Sequence, residues 1–158
     1  MTRFASRLLR VTLVVLLLGT VLAQILVPVV ASQEARIFPE VDYLAVPYSV
    51  ALILVIACVQ VALLVVWRLL SLVDGGVIFT RRALRWVDVI IACAVVATVL
   101  SAGVLIHLGY IVDAGGPLVA LGLPATLAGG LAFVLLMVVM RGLLESAIAD
   151  RSELDEVI

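Results

Sequence analysis

Long apolar runs alternate with short polar clusters along this chain, and the run lengths decide the reading before any single residue does. Apolar stretches cover about residues 8–30, 46–70, 86–112 and 117–140. A helix needs about 20 mostly apolar residues to cross a hydrocarbon layer ~30 Å thick, so each run predicts one membrane span. A helix also satisfies its own backbone hydrogen bonds in lipid, which an open strand cannot do. The predicted fold is therefore all-α, an integral membrane four-helix bundle. Short connections make consecutive spans antiparallel neighbours, which gives up-down-up-down topology. The expectation is a single transmembrane domain over residues 1–158, with 141–158 continuing as a cytoplasmic helical tail.

The joints carry helix-end chemistry. Asp74-Gly75-Gly76 is expected to stop the second span, since Gly accepts the left-handed geometry of helix C-termini. Thr80 is placed to cap the third, with Phe79 and Leu84 spaced as a hydrophobic staple. Gly115-Gly116-Pro117 precedes the fourth, where Pro117 suits a first helical turn. Pro124, further along, is a candidate kink. The first span follows a basic stretch (Arg3, Arg7, Arg10), as a signal peptide would. Its apolar run from Val11 to Val30 is longer than the usual signal core of about 7–15 residues, so an uncleaved span is expected.

Composition sharpens this picture. The chain is 66% hydrophobic and 13% charged, with a mean hydropathy of +1.38, and a chain of this size has no interior large enough to hide that excess from water. The formal net charge of -1 gives no electrostatic footprint for nucleic acid. All the basic residues are Arg, which fits a GC-rich bacterial genome, and their distribution is lopsided. Arg3, Arg7, Arg10, Arg68, Arg81, Arg82, Arg85, Arg141 and Arg151 fall on one side of the proposed spans, and Arg36 alone on the other. The positive-inside rule makes the rich side cytoplasmic, with both termini there, in a bacterial inner membrane. The outer joints instead carry Glu34, Glu40, Asp42 and Asp113.

Few residues offer chemistry. Asp88 lies one turn inside the third span at (i, i+3) from Arg85, which predicts a local anchoring ion pair, with proton or cation coupling as the rival. His107 is the lone histidine. It cannot supply a bis-histidine haem by itself, and it reads as hydrogen-bonded near the outer interface or packed on Tyr110, with pH sensing as the sharper alternative. Gln24 and Gln60 are expected to face the bundle interior as hydrogen-bonding glue, or to line a small polar pocket. Glu34, Glu40 and Asp42 lack a Ca²⁺-loop pattern and read as a solvated loop. Cys58 and Cys93 sit in apolar runs without a CxxC spacing, so they read as small packing residues. Small-residue spacings, Ala97/Ser101 in the third span with Ala125/Gly129 and Thr126/Gly130 in the fourth, predict close packing of those two helices, or a self-association face on one. No catalytic constellation, metal set or cofactor site is visible, and no enzyme activity is expected.

Two cytoplasmic segments stand out. Arg81, Arg82 and Arg85 precede Trp86, a pattern that lipid headgroups alone would account for. The tail places Leu144, Ile148, Arg151, Asp155 and Ile158 on one helical stripe, and returns to apolar residues after Glu153, Leu154, Asp155 and Glu156, so it is expected to fold back on the bundle or dock on a partner.

These segments also carry a resemblance. Arg68-Leu69-Leu70-Ser71-Leu72-Val73-Asp74-Gly75-Gly76-Val77-Ile78-Phe79-Thr80 followed by Arg81-Arg82-Ala83-Leu84-Arg85, then Arg141-Gly142-Leu143-Leu144-Glu145-Ser146-Ala147 and the terminal Glu153-Leu154-Asp155-Glu156-Val157-Ile158, resemble a family of small bacterial four-helix membrane proteins of unknown function. Genes of that family often neighbour a small helix-turn-helix regulator of the Xre/Cro type. The resemblance thus implies a non-enzymatic regulatory or accessory membrane component. Its partner, a cytoplasmic regulator or other subunits of a membrane complex, would meet Arg81, Arg82, Arg85, Leu154, Asp155, Glu156 and Ile158. The alternatives are a small dimeric transporter or channel subunit, or a packing subunit of a larger complex. A homodimer is compatible with each.

Overall fold

The structure, a computed structural model, describes residues 3–37, 42–74, 81–111 and 116–156. Four helices account for nearly all of them: α1 (Arg3–Ile37), α2 (Asp42–Asp74), α3 (Arg81–Ile106) and α4 (Pro117–Glu156). A single π-helical turn, His107–Ile111, extends α3. No strand occurs among the described residues. Each helix contains a segment long and apolar enough to cross a membrane: Arg7–Gln33, Val46–Ser71, Leu84–Tyr110 and Val119–Ala149.

The helix starts and stops follow local chemistry where they are described. Pro117 opens α4, and the Gly116 carbonyl just before it accepts from the amides of Val119 at 3.0 Å and Ala120 at 3.3 Å. Proline is favoured here because its missing N–H would have no helical partner anyway. Further inside, Pro28, Pro47 and Pro124 are each accommodated within an unbroken helix. Gly75, Gly76, Phe79 and Thr80 lie outside the described residues, as do residues 112–115.

Among the described residues each helix packs on its chain neighbour: α1 on α2, α2 on α3, α3 on α4. Among the described residues no close backbone approach joins α1 to α4 or α1 to α3. The up-down-up-down bundle is thus open, with α2 and α3 in the middle and α1 and α4 on the flanks. The α3–α4 seam shows the antiparallel register. Asp88 meets Arg141, Thr98 meets Gly130, Leu105 meets Gly122 and Gly109 meets Val119. At its tightest point a Cβ on Gly130 would fall inside van der Waals contact of three Thr98 atoms, including the Thr98 Cβ at 2.9 Å. Helices in lipid gain nothing from hiding apolar surface, so close approach at small residues has to hold them.

Exposure runs opposite to that of a soluble protein. Leu121, Leu22, Val15 and Leu131 stand exposed, and so do most large apolar side chains of the spans. Of the buried apolar side chains, Leu44 of α2 and Ala102 of α3 lie toward one end of the molecule, and Leu13 of α1, Val65 and Leu70 of α2, and Val87 and Ile90 of α3 toward the other. That same end gathers Arg7 and Arg10 of α1, Arg68 of α2, Arg85 of α3 and Arg141 of α4.

Candidate functional site

Polar side chains within the spans are few, and three of their contacts each tie one helix to the next. In the α1–α2 pair, Gln24 donates from Nε2 to the Ile53 carbonyl at 3.4 Å, while its Oε1 accepts from Gln60 Nε2 at 3.0 Å. Both amides thereby find partners inside an apolar layer, where an unmet donor would be costly. Both glutamines are half-buried, and the contact closes on protein groups.

Between α2 and the π turn, the Tyr48 hydroxyl is 2.7 Å from His107 Nδ1. Their rings meet edge to face, with centroids 5.9 Å apart and planes at 80°. Of the two readings of His107, packing on Tyr110 is not seen, since Tyr110 is 80% exposed, and the imidazole is hydrogen-bonded to Tyr48 instead. A π turn shifts the phase at which side chains leave a helix. His107, its first residue, meets α2, whereas spacing along an ideal α-helix leaves open which neighbour it faces. Near the middle of α2 and α3, Cys58 and Cys93 are neighbours across the helix pair, both free thiols. They pack as expected, but against each other.

The third contact corrects a further expectation. Asp88 bonds across the seam, with Arg141 Nε donating to Asp88 Oδ1 at 2.6 Å, while Arg85 is exposed and makes no ion pair among the described residues. Arg141 Nη1 also donates to Glu145 Oε2 at 3.1 Å, one turn further along α4. The guanidinium thus bridges a carboxylate on each helix, a fork geometry that lysine cannot reproduce. Spacing within α3 suggested Arg85 because sequence alone exposes only local pairs.

Of the segments singled out for partner contact, Arg81 and Arg82 form the first turn of α3, and Leu154, Asp155 and Glu156 the last turn of α4. Their side chains, like those of Glu34, Arg151 and Asp42, lie outside the described residues, and so do Glu40 and Ile158 altogether. Leu144 and Ile148 are half-buried on α4, whereas Leu143 is exposed. Among the described residues no three His, Cys, Asp or Glu side chains converge on a metal position.

Four apolar helices with outward-facing leucine and valine, polar groups paired inward and arginine gathered at one end define a multi-pass four-helix membrane protein. Residues 29–158 match the model of a family described as a protein of unknown function (DUF2975). The chain belongs to that family, and the match takes in the end of α1 and all of α2, α3 and α4. No curated protein and no solved structure matches it.

Proposed function

We propose that this protein is a non-enzymatic regulatory or accessory component of the bacterial inner membrane, with both termini cytoplasmic, that meets a partner through residues 81–85 and the end of α4. The observation that supports this reading is the length of α4. Its forty residues reach about 60 Å at ~1.5 Å per residue, twice the ~30 Å hydrocarbon thickness. Arg141 fastens the helix to Asp88 at the arginine-rich end, and α4 then continues to Glu156 as unbroken helix. A rigid rod leaving the bundle beside a basic helix start is a suitable platform for a cytoplasmic protein, and a small regulator is the kind of partner that the sequence resemblance implies. Transport finds less support: of the carboxylates described within the spans, Asp88 and Glu145 are both engaged by Arg141.

The test keeps the clamp and removes the rod. A chain ending at Ser146 retains Arg141 and Glu145. Proximity labelling in native membranes, read by quantitative mass spectrometry, is expected to show cytoplasmic partners of the full chain that the shortened one loses. Identical partner sets for the full chain, the shortened chain and an Arg81→Gln/Arg82→Gln/Arg85→Gln variant would reject the reading.

A further inference from the structure

The open arrangement of helices leaves a groove at the arginine-rich end. We infer that it is a binding site for one anionic phospholipid, with an acyl chain lying in the groove and the headgroup phosphate held by Arg68. The floor is α2, and α1 and α3 form the walls because each packs on α2 and, among the described residues, no close backbone approach joins them to each other. Val14 and Leu18 of α1, Val61 and Leu64 of α2, and Val89 of α3 line an apolar space of about 730 Å³. That lies within the ~300–1,000 Å³ typical of ligand sites.

The mouth has different chemistry. Trp67, Arg68 and Trp86 meet there. Tryptophan prefers the depth of the headgroups, so the pair sets the level of the membrane interface, and Arg68 stands at the height of lipid phosphate. From Val61 to Arg68 the helix rises roughly 10 Å at ~1.5 Å per residue. The groove therefore stays within one leaflet, about half of the ~30 Å hydrocarbon thickness.

Charge selects the occupant. Among the described residues no carboxylate pairs with Arg68. Arg85 lies one turn from Val89, so the α3 wall adds positive charge near the mouth. A second copy of the chain would have to bring an acid to this level, yet Asp88 and Glu145, the acids described within the spans, are both held by Arg141. A phospholipid brings its acyl chain and its anion together, and guanidinium grips phosphate oxygens in bidentate fashion.

The experiment uses the full chain, delipidated in mild detergent, with native mass spectrometry counting retained lipid. The probes are phosphatidylglycerol, phosphatidylcholine of the same acyl chains, and glycerol phosphate, which has the anion without the chains. Phosphatidylglycerol is expected to be retained in one copy, phosphatidylcholine weakly and glycerol phosphate not at all. Arg68→Gln should weaken phosphatidylglycerol retention roughly tenfold, the loss expected for one charged hydrogen-bonding group. Arg68→Lys, which keeps the charge and loses the fork, should fall between. Leu18→Trp, which fills the groove from its exposed wall, should abolish retention of both lipids. Equal retention of the two lipids, or undiminished phosphatidylglycerol on Arg68→Gln, overturns the assignment. So does intermolecular disulfide formation by Leu18→Cys in native membranes, which would put a second copy in the groove.

Discussion

At Gly130 the α3–α4 seam admits nothing larger than hydrogen, because the facing Thr98 presents its Cβ as well as its hydroxyl and methyl. A rotamer change cannot move a Cβ, so a methyl group at position 130 must push the two helices apart. Gly130→Ala is expected to destabilise the protein by about 1–3 kcal/mol, the usual scale of overpacking, measured by unfolding in mixed micelles. Gly129→Ala, whose methyl would meet nothing within 4 Å, should be neutral or slightly stabilising. Adding Thr98→Gly to Gly130→Ala should recover most of the loss. The sequence shows both small-residue spacings in this helix, Ala125/Gly129 and Thr126/Gly130, without saying which faces α3. Spacing gives the existence of a flat face, and the rotation of the helix about its axis chooses between two adjacent ones. Asp88 teaches the same lesson. Its charge was legible, while its partner sits 53 residues away on another helix, beyond what local spacing can reveal.

The contacts between elements divide the labour of holding the helices in line. In the α1–α2 pair, Gln24→Leu and Gln60→Leu should each lower stability by about 0.6 kcal/mol and at most ~1.7, the measured average and maximum for hydrogen bonds between membrane helices. Because the two side chains share one bond, the double variant should lose less than the sum of the single ones. That shortfall, read from a double-mutant cycle, checks the pairing directly. For α2 and α3, the proximity of Cys58 and Cys93 predicts that a short bifunctional thiol reagent will bridge them within one chain. Intact mass should show one bridge consuming both cysteines, and two separate single additions would contradict the register. The spans themselves were legible, since twenty-odd apolar residues in a row have few other uses. The π turn at residues 107–111 was not, because nothing in His-Leu-Gly-Tyr-Ile marks an i→i+5 bond. The close approach of Gly109 to Val119 depends on α4 being present, and sequence spacing within α3 carries no trace of it.

Taken as a whole, the molecule is a row of helices with two flanks, and its arginines gather at one end. The positive-inside rule turns that asymmetry into a prediction, with the arginine-rich end and both termini on the cytoplasmic side. A fluorescent reporter fused after Ile158 should therefore fold and fluoresce in the cytoplasm, and a phosphatase reporter at the same point, active only across the membrane, should stay silent. Reversed results would place the arginines outside. The Arg asymmetry was plain in the sequence, whereas the openness of the row was not, since hydropathy reports length and says nothing of which spans touch. That openness has a consequence for how the protein comes into being. Every described contact between helices joins consecutive elements, so no early helix must wait for a late one to find its place. Short-range closure of this kind is quick, and elements made first can settle first. α1 and α2 can seat as a hairpin while α3 is still being synthesised, and α4 arrives last, docking on α3 by glycine contact and by the Arg141 clamp. The order of synthesis is thus also a workable order of assembly.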